Sequence, residues 1–201
     1  MAGIEDAKTK NLIYHLTQVD NFESIVQNGL LPRRTIIERR MGFSNVADME
    51  IISKRTELGL DVYTPFHFHP YSAFDVAVKN TYDAQRMMYM CVYRSLARQQ
   101  GFKILPKHPL SVDECVLYDY DEGFDLIDWD TLTTKNLNTD YAKEVKMAEC
   151  LTEKRIPISW FAQLYVPSQD VCDEVTGIMD DYGINPYERP GVNVLPIWFN
   201  Y

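Results

Sequence analysis

The chain has 201 residues, of which 46% are hydrophobic and 24% are charged, and its formal net charge at pH 7 is −9. A chain of this length and apolar content can bury a core without disulfides, so we expect one domain spanning residues 1–201. The negative charge argues against a protein that wraps duplex DNA electrostatically, and no apolar run is long enough to cross a membrane.

The first predicted elements are a strand and a helix joined by a polar turn. The apolar residues 12–14 form the strand, and His15 and Thr17 follow it at the turn. Asp20 and Asn21 are suitable N-caps for the helix, and a glycine supplies its left-handed stop. The turn therefore places two polar side chains beside free helix amides, an arrangement that suits an anionic or dinucleotide ligand. The alternative is a histidine with a purely structural role.

The middle of the chain alternates between helices and strands. A basic helical stretch at 35–40 precedes a second helix at 49–58, with Asp48 as its N-cap and Met49 and Ile52 facing the core. Alternating or continuous apolar residues predict four strands, at 62–68, 87–93, 102–105 and 114–118.

The last third contains two predicted helices before another strand. Asp128 opens a short helix, and apolar residues on one side predict a longer helix at 140–153. A strand follows at 162–166. Ser168 or Asp170 caps the next helix, which runs to about residue 182, and a closing strand lies at 192–199. Because strands and helices mix without a regular βαβ alternation, the pattern predicts an α+β fold.

The charges and the cysteines are unevenly placed. Four arginines lie between Pro32 and Lys54, whereas eight acids and no lysine or arginine lie between His108 and Lys135. A basic patch on an acidic body is one interpretation, and ordinary solvated surface is the other. Four widely spaced cysteines without a CxxC pair favour thiols in a reducing compartment, namely Cys91, Cys115, Cys150 and Cys172. Because the charged N-terminus also lacks a secretory signal, we expect a cytoplasmic protein.

Two further residues are candidates for chemistry. Glu149 lies among small and apolar residues of the predicted long helix, so its carboxylate should be partly shielded and should need a partner. An ordinary surface glutamate is the alternative. Arg55 lies near the end of the second predicted helix, where a cation complements the helix dipole. The residues alone leave both interpretations open.

A metal site is a rival interpretation. His67 and His69 are alternate residues of a predicted strand, so they share a face, and H-x-H is a common ligand pair. A third histidine would have to come from His15 or His108.

Three separated segments resemble the DarT-type ADP-ribosyltransferases, the toxins of DarT–DarG toxin–antitoxin pairs that modify single-stranded DNA. The first is the strand–turn–helix, YHLTQVDNFESIVQNGL, at 14–30. The second is the helix VADMEIISKR followed by YTPFHFHP, and the third is AECL followed by Pro157 and AQLYV. The block DLIDWDTL at 125–132 is also similar to the family. Each motif is loose alone, but their order over nearly the whole chain makes the resemblance specific.

The resemblance implies an ADP-ribosyltransferase-like fold, with a central split mixed or antiparallel sheet flanked by helices. It implies an NAD-dependent enzyme that attaches ADP-ribose to a base of single-stranded DNA and so blocks replication, as a toxin or in phage defence. It further implies NAD as co-substrate, no metal, no membrane, a macrodomain antitoxin as partner and a monomeric state.

The resemblance also assigns roles to residues. Glu149 would stabilise the positive charge that develops on the ribose as nicotinamide leaves. Arg55 would contact NAD and help take the proton from the nucleobase, although arginine is effectively always protonated, so we expect it to orient or stabilise charge. The NAD pocket would be lined by His15, Leu16, Thr17 and Ser24. The substrate strand would contact four aromatic residues, namely Tyr71, Tyr118, Tyr120 and Trp129. Stacking on unpaired bases is expected for three of these and for Tyr141.

The chain departs from the family pattern in two places. The family sequence PRSPM is PYSAF here, at 70–74, so an arginine that would contact a phosphate or base is missing. The expected substrate-reading region, 106–149, is acidic where a DNA-binding loop should be neutral or basic. Another DNA base, an RNA or a protein are therefore alternative acceptors, and a degenerate nucleotide-binding module is a further alternative.

Overall fold

The fold is known from a computed structural model that describes residues 4–46, 49–108 and 116–200. The predicted N-cap Asp48, the cysteine Cys115 and the start of the predicted strand 114–118 lie outside these ranges. Cys91, Cys150 and Cys172 are free thiols. None of the helices formed by the described residues combines the length and the apolar composition that crossing a membrane requires.

The described residues form a single sheet of eight strands with α-helices around it. The strands are β1 (Leu12–Gln18), β2 (Thr64–His67), β3 (Met87–Tyr93), β4 (Lys103–Leu105), β5 (Tyr118–Asp119), β6 (Glu149–Thr152), β7 (Phe161–Val166) and β8 (Gly191–Val194). The helices are α1 (Phe22–Asn28), α2 (Arg33–Glu38), α3 (Met49–Glu57), α4 (Ala73–Thr81), α5 (Arg94–Gln99), α6 (Tyr120–Leu126), α7 (Trp129–Thr133), α8 (Asp140–Val145) and α9 (Gln169–Asp181).

The sheet is mixed, and its strand order is β5-β4-β6-β2-β1-β3-β7-β8. Neighbouring strands are antiparallel, except that β7 and β8 are parallel. The predicted α+β fold with a mixed central sheet flanked by helices is therefore confirmed.

Strand β3 lies inside the molecule on both faces. Met88 and Met90 belong to the larger hydrophobic core, with α1 and α9, whereas Tyr89 belongs to a second core that includes Trp198 near the C-terminus. A strand buried on both faces reads as a continuous apolar run, which is why the sequence predicted this strand correctly.

β1 and β2 belong to the same sheet but separate along most of their length, which splits the sheet at this point. In the described residues these strands share one register pair, Tyr14 opposite His67, and His67 is in turn opposite Glu149 on β6. Because directly opposed residues project to the same face, Tyr14, His67 and Glu149 form one row across the sheet. The remainder of β1, which carries His15 and Thr17, borders the split.

The predicted long helix at 140–153 is wrong. Helix α8 ends at Val145, and residues 149–152 form the buried strand β6, which pairs with β2 on one side and β4 on the other. A short buried strand and one side of a helix give the same apolar signal in sequence, and pairing on both edges selects the strand. Glu149 therefore lies on a central strand and not on a helix.

The other differences are local. The closing strand ends at Val194, because Pro196 cannot donate to a ladder and begins a short 3₁₀ turn instead. Met49 was expected in the core but is 85% exposed. The predicted cap Ser168 is confirmed, since its side chain accepts a hydrogen bond from a backbone N–H group of α9. Asp128, which was expected to open a short helix, accepts one in the same way from α7.

Candidate active site

Glu149 and Arg55 are far apart in sequence but form an ion pair beside the split in the sheet. Arg55 Nη1 lies 2.9 Å from both carboxylate oxygens of Glu149. The Glu149 side chain is 4% exposed and that of Arg55 is 15% exposed. Arg55 Nη2 is buried and has no hydrogen-bond partner among the described residues. The pair is therefore buried and hydrogen-bonded, while one strong donor remains unsatisfied.

His15 is a neutral imidazole with a defined tautomer. Its Nδ1 lies 2.8 Å from the carbonyl oxygen of Pro65, which can only accept, so Nδ1 carries the proton. Burial lowers the pKa of His15 to about 4. Near pH 7 the second ring nitrogen, Nε2, is therefore a hydrogen-bond acceptor.

Asn21 links strand β1 to the loop that follows α2. Its Nδ2 donates to Thr17 Oγ1 at 3.1 Å and to the carbonyl oxygen of Ser44 at 3.0 Å, while its Oδ1 accepts from the Ser44 N–H at 2.7 Å. The side chain makes no cap hydrogen bond to helix α1, so the predicted capping role of Asn21 is wrong. It instead fixes Thr17 against the loop.

A cleft opens where β1 and β2 separate, and it collects the predicted NAD-site and catalytic residues. Its lining includes residues of β1, α1, α3 and the beginning of β6. All six predicted residues of these two classes line it: His15, Leu16, Thr17, Ser24, Arg55 and Glu149. Their roles in binding or catalysis stay predictions.

The cleft also contains polar atoms that lack partners. Besides Arg55 Nη2, the hydroxyl of Thr64 and both carboxyl oxygens of Asp75 are buried without a hydrogen-bond partner among the described residues. Buried polar groups are nearly always paired in folded proteins, so these atoms indicate a site that a ligand completes. The sequence did not single out Thr64 or Asp75, because a threonine in a strand and an acid in the first turn of a helix are ordinary.

Two of the four aromatic residues predicted to contact the substrate strand belong to the hydrophobic core. Trp129 is 6% exposed, donates its indole N–H to the carbonyl oxygen of Phe124 and packs edge-on against Phe68. Tyr120 is 9% exposed and stacks on Phe124. Both rings are therefore already packed against core side chains, and base stacking by Trp129 and Tyr120 stays a prediction.

The other two aromatic residues are half-buried. Tyr71 packs against Trp198 with 6.4 Å between ring centroids, and Tyr118 lies on the edge strand β5. Neither is among the described residues that line the cleft. Contact with a nucleic acid strand stays a prediction for both.

The second histidine of the H-x-H pair is engaged by the backbone. His69 Nε2 lies 2.9 Å from the carbonyl oxygen of Lys146, and its Nδ1 accepts the N–H of Tyr71 at 3.2 Å. Burial lowers the pKa of His69 to about 3, so the ring is neutral. In the described ranges, no group of three histidine, cysteine or acidic side chains is arranged to hold a metal ion. These residues give no support to the rival metal-site interpretation.

Solved structures with the same fold come from the DarT proteins. Thermus sp. 2.9 DarT in complex with ADP-ribosylated ssDNA has a TM-score of 0.81 and 21% identity, over 94% of this chain and 96% of that chain. The same protein in complex with NAD+ has a TM-score of 0.75 and 20% identity, over 94% and 98%. Thermosipho africanus DarTG in complex with ADP-ribose has a TM-score of 0.74 and 18% identity, over 94% and 51%. At such identities the likeness concerns the fold alone.

Sequence comparison identifies the family directly. The curated proteins contain no match to this chain. The family described as "ssDNA thymidine ADP-ribosyltransferase, DarT" matches residues 14–199, which is nearly the whole chain and includes all three resembling segments. The chain therefore belongs to the DarT family of ssDNA thymidine ADP-ribosyltransferases.

Proposed function

We propose that this protein transfers ADP-ribose from NAD to a base of single-stranded DNA. The observation that carries the proposal is the buried Arg55–Glu149 pair, which faces the cleft with Nη2 unsatisfied. The Thermus relative was solved with NAD+ and with ADP-ribosylated ssDNA, and the family description names thymidine. Membership of the family supports the same substrates for this chain.

Glu149 would stabilise the reacting ribose. When the bond between nicotinamide and ribose breaks, positive charge develops on the ribose ring, and a fixed carboxylate beside it lowers the energy of that state. Each carboxylate oxygen has two lone pairs. The contacts to Arg55 Nη1 use one lone pair per oxygen, so each oxygen retains one that can accept a ribose hydroxyl.

Arg55 would bind and orient the substrates. Its guanidinium carries no acceptor and stays protonated, so it does not take a proton. Its unsatisfied Nη2 can donate to an oxygen of NAD or of the acceptor base. By placing positive charge there, Arg55 would stabilise the negative charge on a base that gives up its proton.

The residues proposed to bind NAD combine a hydrogen-bond acceptor, hydroxyl groups and an apolar surface. Neutral His15 offers Nε2 to a hydroxyl of NAD, Thr17 and Ser24 add hydroxyl groups, and Leu16 adds apolar contact. Arg33 lines the same cleft and lies 5.3 Å from the ring centroid of Phe43. Its positive charge would favour the diphosphate. For the DNA strand we propose contacts with two half-buried rings, Tyr71 and Tyr118.

The biological role would be that of a toxin with a dedicated antitoxin. The Thermosipho africanus relative is described as DarTG, and this chain spans 51% of its length. We propose that residues 1–201 form a single domain that acts as a cytoplasmic monomer without a metal, and that a DarG-type macrodomain antitoxin reverses its modification. Expression should arrest a bacterial host, and Glu149→Ala should relieve the arrest.

The decisive experiment is acceptor labelling. The protein is incubated with NAD labelled in its ADP-ribose part and with single-stranded DNA, duplex DNA, RNA or protein, in wild-type and Glu149→Ala forms. Label on single-stranded DNA that disappears with the variant supports the proposal. Label on RNA or protein instead would favour those alternative acceptors, and intact NAD with no labelled acceptor would point to a degenerate nucleotide-binding module.

A further inference from the structure

Asp75 is a buried acid in the wall of the cleft. It lies in the first turn of α4, where its backbone N–H donates to the Oγ of the helix cap Ser72 at 3.1 Å. The residue is 1% exposed. Both of its carboxyl oxygens are buried, and neither has a hydrogen-bond partner in the described part of the chain.

The surroundings of Asp75 place it on the same side of the sheet as Glu149. His67, which is directly opposite Glu149 in the register, makes the largest Coulombic contribution to the pKa of the Asp75 carboxyl. The preceding residue Phe74 donates its N–H to the sulfur of Met147 at 3.4 Å, which ties the start of α4 to the turn just before Glu149. All five residues line the one cleft.

Burying a carboxyl in this position costs free energy. Burial raises the pKa of Asp75, against the opposing effects of His67, Lys79 and the polar groups of the helix cap Ser72. Lys79 directs hydrogen bonds to the Tyr89 hydroxyl at 2.8 Å and to the Trp198 carbonyl oxygen at 2.9 Å. Buried polar groups without partners are rare, and each one needs a physical explanation. We therefore expect a bound ligand to supply the hydrogen-bond donor that the carboxyl oxygens of Asp75 lack.

Asp75 and Glu149 line the same cleft, and this limits what that donor is. If Glu149 contacts the reacting ribose, as the proposed function requires, the groups next to it are those attached to the anomeric carbon of the ribose. These are the nicotinamide that leaves and the nucleobase that arrives. A carboxamide and a nucleobase edge both carry N–H groups.

We propose that Asp75 contacts substrate in this cleft, and that its carboxyl accepts a hydrogen bond from an N–H group of the nicotinamide carboxamide or of the acceptor base. The proposal rests on the proposed function and adds a specificity-determining residue to it. A ligand that lacks the N–H group would leave the buried carboxyl unpaired and would be rejected for that reason.

The test compares three ligands with variants of one residue. Asp75→Leu and Asp75→Ala remove the acceptor, Asp75→Asn keeps an amide oxygen in nearly the same place, and Asp130→Asn changes an exposed acid on α7 as control. Calorimetry gives the affinities for NAD and for ADP-ribose, which lacks nicotinamide, and a labelling assay gives the rate of transfer to single-stranded DNA. Thermal melting checks that each variant folds, and Asp75→Ala replaces Asp75→Leu if leucine overfills the site.

Contact with the nicotinamide carboxamide predicts that Asp75→Leu weakens NAD binding about tenfold, because one hydrogen bond is lost. The same variant should leave ADP-ribose binding within about twofold. Contact with the acceptor base predicts unchanged affinity for both nucleotides and about tenfold slower transfer. In either case Asp75→Asn retains more function than Asp75→Leu. If all three measurements with Asp75→Leu and Asp75→Ala match those of Asp130→Asn, Asp75 does not contact substrate. A wild-type protein that neither binds NAD nor labels DNA would instead refute the proposed function.

Discussion

Arg55 uses one end of its guanidinium to hold Glu149 and keeps the other end free for a ligand. Its Nη1 lies 2.9 Å from both carboxylate oxygens, whereas its Nη2 is buried without a partner among the described residues. An arginine that served only to neutralise a carboxylate would more often place two parallel N–H bonds on it. The observed geometry therefore separates two tasks, fixing the carboxylate and presenting a second donor to the cleft.

The first prediction concerns the charge of Glu149. Glu149→Gln keeps the shape of the side chain but removes the negative charge that would stabilise the ribose. We expect transfer to single-stranded DNA to fall by about 100-fold or more, because preorganised electrostatic groups contribute on this scale, while affinity for NAD changes only slightly. The measurements are labelled transfer and calorimetry.

The matched control for that prediction is Glu153→Gln, since Glu153 is exposed and lies just beyond the same strand. It should leave transfer at the wild-type rate. Equal loss in both variants, or full activity in Glu149→Gln, would contradict the role proposed for Glu149.

The second prediction concerns the energetic coupling of the ion pair. Arg55→Ala leaves the carboxylate of Glu149, which is 4% exposed, buried without a compensating charge. We expect the free energy of unfolding to fall by roughly 3–5 kcal/mol. In the double variant Arg55→Ala/Glu149→Gln much of that loss should be recovered, because no buried anion remains. Urea denaturation of the four proteins measures the cycle, and strictly additive effects would show that the two residues do not interact.

Local features of this chain could be predicted from sequence, whereas features that depend on distant pairing could not. The strand–turn–helix around His15 follows from apolar spacing and a glycine stop, and Gly29 does adopt a positive φ of 77°. Glu149 was placed on a helix because nothing in its neighbourhood reveals that β2 and β4 pair on either side of it. The family resemblance found Glu149 all the same, because a motif needs no assigned secondary structure.

Side-chain environments were the least predictable part of the site. Trp129 reads as an aromatic residue in a polar segment, and only the fold shows that its ring is enclosed by Phe68 and Phe124. Asp75 reads as an ordinary helix-start acid, and only the fold shows its unsatisfied carboxyl in the cleft. Burial is decided by elements that are distant in sequence, so it has no local signal.

The third prediction concerns the loop held by Asn21. Asn21→Ala removes three hydrogen bonds, one to Thr17 and two to the backbone of Ser44. We expect the loop at 42–46 to become more mobile and the affinity for NAD to fall several-fold, because the loop lines the cleft and must then be ordered on binding. Limited proteolysis with and without NAD measures the first effect, and calorimetry measures the second. Asn28→Ala, at the other end of α1, is the control, and an unchanged cleavage pattern in Asn21→Ala would contradict the prediction.

The fourth prediction concerns pH. The pKa of His69 is lowered by burial from 6.5 to about 3, so the unfolded chain binds a proton there before the folded protein does. The stability that this neutral imidazole contributes is therefore complete above about pH 6.5 and is lost as the pH falls towards 3. Between pH 7 and pH 5 we expect His69 to account for a loss of about 2 kcal/mol in the free energy of unfolding.

The experiment that tests this prediction measures the free energy of unfolding at several pH values and compares how steeply it changes. His69→Gln should be less stable at pH 7, because it loses hydrogen bonds to Lys146 and Tyr71, but its stability should fall less steeply down to pH 5. A parallel pH dependence in the variant and the wild type would show that His69 is not the titrating group. His15, whose pKa is lowered to about 4, contributes a similar loss that both proteins share.

The last prediction separates core aromatic residues from DNA-contacting ones. Trp129→Ala should lower the free energy of unfolding by about 3–5 kcal/mol, because it empties a site between Phe68 and Phe124. The fraction that remains folded should bind single-stranded DNA like the wild type. Tyr118→Ala, on the edge strand, should have a much smaller effect on stability and should weaken binding of single-stranded DNA roughly tenfold, as expected when one base loses its stacking partner. Urea denaturation and fluorescence anisotropy with a short oligonucleotide measure both quantities, and weaker DNA binding by fully folded Trp129→Ala would return Trp129 to the substrate site.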